Sequence, residues 1–294
     1  MKTYFECLPC LVRQAIEGAR HATTDAAIHE EVVRGFMRKL SEGDLSRSTP
    51  VFIGMVHRIV RELTGNSDPY RNAKDHFNRT ALNLYPQFKE MIKSSADPVE
   101  TALRLANAGN MIDMIVDASV EQADIGAALK EFITIRVPTA TLEEFKALVE
   151  RASAILYLGD NAGEIVFDRL LIEELPREKI TFVVKGGPVI NDVTMIDAQT
   201  TGMTDIVEVI DNGSDMPGTV LEACSETFCQ RFRAADLIIS KGQGNYESLS
   251  DLKKNMFFIF KAKCVVMELH LGCEIDTPVF LTIRDQQGRI AGQP

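Results

Sequence analysis

The sequence predicts an α/β protein in which a helical N-terminal region packs on a core with a mainly parallel sheet. Two observations predict this class. Apolar residues recur at helical spacing through most of residues 1–150, and strand-like runs alternate with helical patterns over residues 151–294. Strands that alternate with helices form βαβ units, whose sheets are parallel. We therefore expect a helical region at 1–150 followed by an α/β core at 151–294.

Helices are expected throughout the first region. Leu8, Leu11 and Ala15 begin an apolar stripe at helical spacing. A proline opens the third predicted helix and Gly65 stops it, whereas Pro86 lies inside the fourth. The predicted helices cover residues 8–19, 26–40, 50–63 and 75–94, a segment from Pro98 toward Gly109, and a segment after Thr141.

The second region is predicted to contain seven short strands with helices between them. Each strand is a run rich in aliphatic or aromatic residues. The predicted strands are 155–158, 180–184, 206–210, 237–240, 257–260, 264–267 and 279–284, and the helices between them are 164–174, 193–199 and 218–232.

The overall composition excludes several classes of protein. The net charge is −10, and no basic stripe is present to bind nucleic acid or an anionic membrane. No apolar run approaches the roughly 20 residues of a membrane span, and charged residues interrupt the first twenty positions. We expect a cytoplasmic protein, in which six cysteines are thiols or metal ligands rather than disulfides. The sequence leaves the oligomeric state open.

Carboxylate and amide side chains follow the first two predicted strands. Asp160 and Asn161 come directly after residues 155–158, and Asp192 lies in the segment after residues 180–184. Ligands of open α/β sheets bind beyond the carboxyl ends of the strands. Oxygen donors of this kind suit Mg²⁺ or Mn²⁺. Each motif alone is also typical of a turn or a helix cap, but three similar strand ends favour a site that binds a metal and a phosphate.

The third strand end supplies the candidate phosphate loop. Lys241, Gly242, Gly244 and Asn245 follow the strand at 237–240, and glycines allow backbone N–H groups to approach an anion. Lys241 would add a point charge and Asn245 an amide donor. Lys185 has a similar position after the second strand, where a structural role is equally compatible with the pattern.

Three common phosphate or nucleotide motifs are absent. The chain contains no G-x-x-x-x-G-K-[ST] sequence, and its first strand is not followed by G-x-G-x-x-G. Position 162 is alanine, so the Asp-x-Asp pair of aspartyl-phosphate phosphatases is missing. These absences favour attack by a metal-activated water over a covalent aspartyl intermediate.

Cys7 and Cys10 form a C-x-x-C motif at the start of the first predicted helix. A helix N-terminus lowers the pKa of a thiol, which is compatible with redox chemistry or a second metal site. No strand precedes the motif, which argues against a thioredoxin unit. Structural thiols, a metal site and a redox pair all stay open.

The three strand-end motifs together resemble the damage-control phosphatases, a family also called domain of unknown function 89 or the acidic-residue-methyltransferase-like family. The resemblance covers nearly the whole chain, and the C-x-x-C is similar to the stand-alone archaeal and bacterial subgroup. The residues that carry it are Gly159-Asp-Asn-Ala-Gly-Glu164, Lys185-Gly-Gly-Pro-x-x-Asn-Asp192, Ile239-Ser-Lys-Gly-Gln-Gly-Asn-Tyr-Glu247, Asp68-Pro-Tyr70, Lys74 and Ala108-Gly-Asn-x-Ile-Asp113.

The resemblance implies a three-layer α/β/α core and a metal-dependent phosphatase for small phosphorylated metabolites, acting in metabolite repair. The implied cofactor is a divalent metal such as Mg²⁺, Mn²⁺, Co²⁺ or Ni²⁺. The Arg-Thr-x-Lys signature of the eukaryotic sugar-phosphate subgroup is absent. The implied metal ligands are Asp160, Asn161 and Asp192. The implied phosphate and substrate contacts are Lys241, Gly242, Gly244 and Asn245, with Asn110 and Asp113 on a helical segment that faces the site. We expect Asp160, Asp192 and Lys241 to be catalytic, Glu164 and Lys185 to be further substrate or phosphate contacts, and Glu164 or Asp113 to orient the water.

Two other classes of function compete with the phosphatase. One is a metal or redox protein that uses the C-x-x-C and holds a nucleotide at the strand ends. The other is a carboxyl methyltransferase, which ranks lower because the sequence lacks a glycine-rich loop for the methionine-derived cofactor.

Overall fold

Helices make up the first half of the described chain. The computed structural model describes residues 1–109 and 136–284. Its N-terminal helices are α1 (Leu8–Ala22), α2 (Ala26–Ser41), α3 (Thr49–Thr64), α4 (Arg71–Ser94) and α5 (Pro98–Ala108), and α6 (Thr139–Arg151) precedes the sheet.

Local sequence signals fix several of these helix ends. Asp25 and Asp97 cap α2 and α5 by accepting hydrogen bonds from backbone N–H groups. Gly65, with φ of 67°, ends α3 in the left-handed conformation that favours glycine. Helix α4 begins at Arg71 rather than at residue 75, and it continues through Pro86. The burial of its apolar face outweighs the backbone hydrogen bond that the proline removes.

The second half of the chain forms one six-stranded sheet. The strands are β1 (Ile155–Leu158), β2 (Ile180–Val184), β3 (Glu208–Asp211), β4 (Leu237–Lys241), β5 (Met256–Lys261) and β6 (Pro278–Ile283). In spatial order they are β3-β2-β1-β4-β5-β6. All neighbouring pairs are parallel except β5 and β6, which are antiparallel, so the mainly parallel sheet is confirmed.

Helices cover both faces of the sheet, which confirms the three layers. The helices of this half are α7 (Glu164–Ile172), α8 (Met195–Thr200), α9 (Glu226–Ala234), α10 (Gln243–Leu249) and α11 (Val265–Leu271). Alternate residues of each strand enter different cores: Tyr157 packs with α4 to α7 on one face, and Leu158 packs with α9 to α11 on the other.

Helices α1 to α3 have an apolar core of their own, and α3 connects this core to the sheet loops. Phe36, Phe52 and Val60 are buried in it. On another face of α3, Val51 packs against Met216 in the loop after β3. Helix α3 therefore lies against loops at the carboxyl edge of the sheet.

Two predicted elements were wrong. Residues 264–267 form the start of α11 rather than a strand, because Val266 and Met267 are needed to cover the second core and Gly272 ends the helix with φ of 68°. The helix predicted at 218–232 begins only at Glu226, where the Ser225 side chain accepts a hydrogen bond from a backbone N–H. The β-branched pair at 265–266 favoured a strand, and Gly218, with φ of 66°, has a conformation that a helix does not use.

None of the helices within the described ranges is long and apolar enough to cross a membrane. The longest of them, α4, has 24 residues and carries charged side chains such as Arg71 and Asp75.

We expect Phe182→Ala to lower the free energy of unfolding by about 3–5 kcal/mol, since removing a buried phenyl group leaves a cavity. Phe182 is fully buried and stacks on Tyr157 with ring centroids 5.5 Å apart. Phe5→Ala is the matched control, because Phe5 is 76% exposed, and it should change stability by less than about 0.5 kcal/mol. Urea denaturation would measure both, and equal costs would contradict the assigned core.

Candidate active site

The candidate site lies where β1 and β4 run side by side at the middle of the sheet. Leu158 pairs with Ser240 in parallel register, so residues 159–160 and 241–242 leave the sheet at the same edge. The chain then turns to opposite faces, into α7 after β1 and into α10 after β4. Such a divergence opens a ligand-binding crevice in α/β sheets.

Asp160 and Asn161 lie at this edge, directly after β1. Asp160 is half-buried, and Asn161 is buried. The Asn161 amide nitrogen donates to Asp160 Oδ2 at 2.9 Å and to Glu164 Oε2 at 3.2 Å. The nitrogen end of the amide is therefore engaged inside the protein, which leaves its oxygen end for a ligand.

Backbone hydrogen bonds bring Asp192 to Asp160 and Asn161. The N–H of Ala162 donates to the carbonyl of Asn191 at 2.9 Å, and that of Val193 donates to the carbonyl of Asp160 at 2.8 Å. Asn161 and Asp192 consequently face each other as an isolated antiparallel bridge. The structure thus places the three predicted metal ligands together.

The loop that carries Asp192 contains a strained residue. Ile190 has φ of 45°, a conformation that is rare for a β-branched side chain. Strain of this kind persists where the surrounding structure holds the backbone, and it is concentrated at functional sites.

Asp192 and Lys185 form a buried pair beside this bridge. Asp192 Oδ2 lies 3.4 Å from Lys185 Nζ but accepts no hydrogen bond from the described residues. The Lys185 ammonium also donates to the carbonyl of Gly218. A buried carboxylate oxygen that lacks a hydrogen bond is costly, and a bound cation would satisfy it.

Lys241 has different contacts from those predicted for it. Its side chain is fully buried, and its ammonium donates to Glu164 at 2.5 Å, to Asp168 at 2.6 Å and to the carbonyl of Ala106 at 2.8 Å. All three donors of the ammonium are thereby engaged with protein oxygens. Lys241 supports the carboxylates behind the site instead of facing a phosphate.

The loop after Lys241 is defined by Gly242. A Cβ atom at this position would lie 2.0 Å from Asp160 Oδ2, and its φ is +83°. Asn245 is buried, and its amide accepts from Thr219 Oγ1 at 2.7 Å and donates to the carbonyl of Lys241 at 2.8 Å. The N–H of Gly242 donates to the carbonyl of Ile259 at 3.1 Å, so the backbone N–H of Gly244, in the first turn of α10, is a better candidate for phosphate contact than the Asn245 side chain.

The site contains more negative charge than its lysines balance. Burial raises the pKa of Asp160 well above its ordinary value, and Glu164 and Asp192 raise it further against the opposing effects of Lys263 and Lys185. Burial also raises the pKa of Asp192 to about 6, although Lys185 lowers it. A bound cation would relieve this repulsion between carboxylates.

Sequence reasoning missed Asp168, which lies behind the predicted ligands. It accepts hydrogen bonds from Lys241 and, at 2.7 Å, from the Tyr157 hydroxyl. Burial raises the pKa of Asp168 to about 7 even though Lys241 lowers it. The available signal was its position four residues after Glu164, which puts both carboxylates on one side of α7.

Asn78 on α4 was also missed. Its buried amide oxygen accepts from the N–H of Gly163 at 2.7 Å, and its nitrogen donates to Asp197 at 2.9 Å. Lys74, one turn earlier on α4, is buried and pairs with Asp68 at 2.7 Å. Helix α4 thus holds the turn that follows Asn161.

The predicted contacts Asn110 and Asp113 lie outside the described residues.

Cys7 and Cys10 lie at the beginning of α1 as free thiols, Cys7 half-buried and Cys10 exposed. Cys7 packs at the edge of the second core, which also contacts the partly buried Cys264. Within residues 1–109 and 136–284, no group of three or more His, Cys, Asp or Glu side chains is placed to hold a metal. The metal and redox roles of this motif stay predictions.

The strand-end residues fit a divalent cation that retains open positions. Asp160 and Asp192 offer carboxylate oxygens, and Asn161 offers an amide oxygen, all hard donors of the kind that Mg²⁺ and Mn²⁺ prefer. Three protein ligands leave room in the coordination shell for water and for substrate oxygens.

The fold is that of a solved structure with the same arrangement of layers. The crystal structure of a DUF89 family protein, PH1575 from Pyrococcus horikoshii, matches with a TM-score of 0.87 and 29% sequence identity, over 97% of this chain and 100% of that one. Both proteins therefore belong to one structural class, an open α/β sheet with a helical N-terminal region.

Sequence comparison identifies the family. The damage-control phosphatase ARMT1-like domain matches residues 3–278. A damage-control phosphatase of Archaeoglobus fulgidus is 32% identical over 92% of this chain and 95% of its own, and the damage-control phosphatase PH1575 is 33% identical over 90% and 92%. An uncharacterised protein of Methanocaldococcus jannaschii is 36% identical over 94% of each chain. The chain belongs to the damage-control phosphatase ARMT1-like family, which confirms the predicted family and phosphatase class.

We expect Gly242→Ala to inactivate the enzyme and to lower its stability by more than about 1 kcal/mol, because alanine is strained at positive φ and its Cβ would displace the Asp160 carboxylate. Gly244→Ala is the matched control. Its Cβ would meet no atom closer than 3.4 Å, and alanine favours the helix in which it lies. Phosphate release and thermal unfolding would test both variants. Full activity of Gly242→Ala would disprove the close approach.

Proposed function

We propose that this phosphatase holds a divalent cation with Asp160, Asn161 and Asp192, and that it hydrolyses phosphate monoesters of small metabolites there. The observation that carries the proposal is the placement of these three oxygen donors at the switch point of the sheet by backbone hydrogen bonds between two loops. The buried Oδ2 of Asp192, which accepts no hydrogen bond from the described residues, supports the same assignment.

The donor set is compatible with Mg²⁺, Mn²⁺, Co²⁺ or Ni²⁺, since all are cations that oxygen ligands can hold. A bound cation of this kind supplies positive charge for phosphoryl oxygens and lowers the pKa of water. Asp160, half-buried, gives the cation access from solvent, whereas Asp192 anchors it from the buried side.

The remaining residues divide between phosphate binding and support. We assign phosphate binding to the N–H group of Gly244 and to Lys185, whose ammonium has three donors and two described partners, while Gly242 gives the loop its close approach to Asp160. Asn110 and Asp113 stay proposed contacts from the helical part. The net charge of −10 favours a small phosphorylated molecule over nucleic acid or an anionic membrane as the partner.

We expect Asp160→Asn to lower metal-dependent phosphate release by at least about 100-fold, because even residues that only support metal ligands cost 10- to 100-fold when replaced. The assay uses an aryl phosphate and a panel of phosphometabolites, with each of the four metals or with chelator. Asp211→Asn is the control. Asp211 is an exposed carboxylate at the end of β3, and it accepts a hydrogen bond from the N–H of Gly213 at 2.8 Å. Activity that survives both chelation and Asp160→Asn would disprove the proposal.

Replacement of Cys7 and Cys10 by serine tests the competing role of the C-x-x-C. We expect phosphate release to be retained within about threefold, since Cys10 is exposed and Cys7 lies at the edge of the second core. Elemental analysis of the purified protein completes the test. Zinc or iron that is present in the wild type and lost from the double variant, together with activity, would favour a thiol-dependent function.

A further inference from the structure

The orientation of one amide group decides whether the proposed cation site can form. Asn161 has an oxygen end that binds cations and a nitrogen end that repels them. Its nitrogen donates to two carboxylates, Asp160 at 2.9 Å and Glu164 at 3.2 Å. Two acceptors on the nitrogen side fix the amide with its oxygen directed elsewhere, since a reversed amide would place its oxygen against both carboxylates.

Glu164 is itself held in place by buried charges. Its Oε1 accepts from the Lys241 ammonium at 2.5 Å, while its Oε2 accepts from Asn161. Lys241 is fixed in turn by Asp168 at 2.6 Å, and Asp168 accepts from the Tyr157 hydroxyl at 2.7 Å. The side chains of Glu164, Lys241 and Asp168 are fully buried. The chain of contacts therefore runs without a gap from the core of the sheet to Asn161.

The balance of charges among Glu164, Lys241 and Asp168 does not favour stability. Within the described part of the chain, two carboxylates, Glu164 and Asp168, share the single ammonium of Lys241. Asp168 Oδ2 is buried and has no described hydrogen-bond partner. An isolated pair of one ammonium and one carboxylate would bury less uncompensated charge. Excess buried charge of this kind is retained where a function requires it.

We infer that Glu164 is a positioning residue that orients the Asn161 amide so that its oxygen faces the cation, and that Lys241, Asp168 and Tyr157 hold Glu164 for this role. The inference rests on the proposed cation site. It assigns Glu164 to amide orientation rather than to the attacking water.

Glu164→Gln provides the sharpest test. Lys241 is an obligate donor at Oε1, so the glutamine must turn its oxygen toward Lys241 and its nitrogen toward Asn161. Two amide nitrogens would then face each other, so Asp160 alone would hold the Asn161 amide and its oxygen would no longer be fixed toward the cation. We expect the affinity for Mn²⁺, measured by electron paramagnetic resonance of the free ion, to fall by about 10- to 100-fold.

Stability separates this role from a merely structural one. Glu164→Gln leaves Lys241 paired one-to-one with Asp168, so the melting temperature of the metal-free protein should stay the same or rise. Glu173→Gln is the matched control. Glu173 follows the same helix, and its carboxylate accepts from Tyr85 at 2.7 Å and from Arg169 at 3.0 Å, neither of which is a predicted site residue. That control should leave Mn²⁺ affinity unchanged. A lower melting temperature with unchanged affinity in Glu164→Gln would overturn the inference.

A double-variant cycle gives a second, independent readout. Asn161→Asp has no amide to orient, and its carboxylate would face the Glu164 carboxylate. Adding Glu164→Gln to Asn161→Asp should therefore raise Mn²⁺ affinity, the opposite of its effect on the wild type. Equal effects in both backgrounds would overturn the inference.

Asp160→Asn distinguishes failure of this inference from failure of the cation site. If Asp160→Asn loses Mn²⁺ and Glu164→Gln binds like the wild type, the site stands and the positioning role is overturned. If Asp160→Asn binds Mn²⁺ like the wild type, the cation site is misassigned and the positioning role is overturned with it.

Discussion

The parallel pairing of β1 with β4 is the constraint on which the rest of the structure depends. Because Leu158 is in register with Ser240, Asp160 and Gly242 leave the sheet side by side and approach so closely that only glycine fits. The following helices then diverge to opposite faces. The crevice, the Asp160 carboxylate beside it and the loop at Gly242 all follow from this one register. Strand β2 adds Asp192 on the other side of β1.

Charge near this crevice is arranged in two layers. The outer layer consists of Asp160 and Asp192, of which Asp160 is accessible to solvent. The inner layer consists of Glu164 and Asp168 around Lys241. Unlike an ordinary surface cluster, the inner layer is fully buried, so water cannot screen it and its geometry is fixed by direct contacts. Asn161 is the bridge between the two layers.

The sequence could predict the outer layer but not the inner one. Asp160, Asn161 and Asp192 follow strands whose apolar character is plain, and parallel strands bring their carboxyl ends to one edge. Lys241 also follows a strand, and the same logic therefore assigned it to a phosphate. Its actual partners lie 73 and 77 residues away on α7, and no local pattern indicates which carboxylates reach it. The strand predicted at 264–267 failed for a related reason, because only tertiary packing makes those residues helical.

Asn78 makes the helical region and the sheet depend on each other through one side chain. This one side chain, on α4, completes the hydrogen bonding of Gly163 beside the predicted ligands and also binds Asp197. A foreign helical region grafted onto the sheet would leave the buried N–H of Gly163 without its acceptor and Asp197 with fewer donors, unless it carried an amide at the same place. A change of substrate preference is therefore expected to be easier to engineer by replacing individual side chains on the existing helices than by exchanging whole segments.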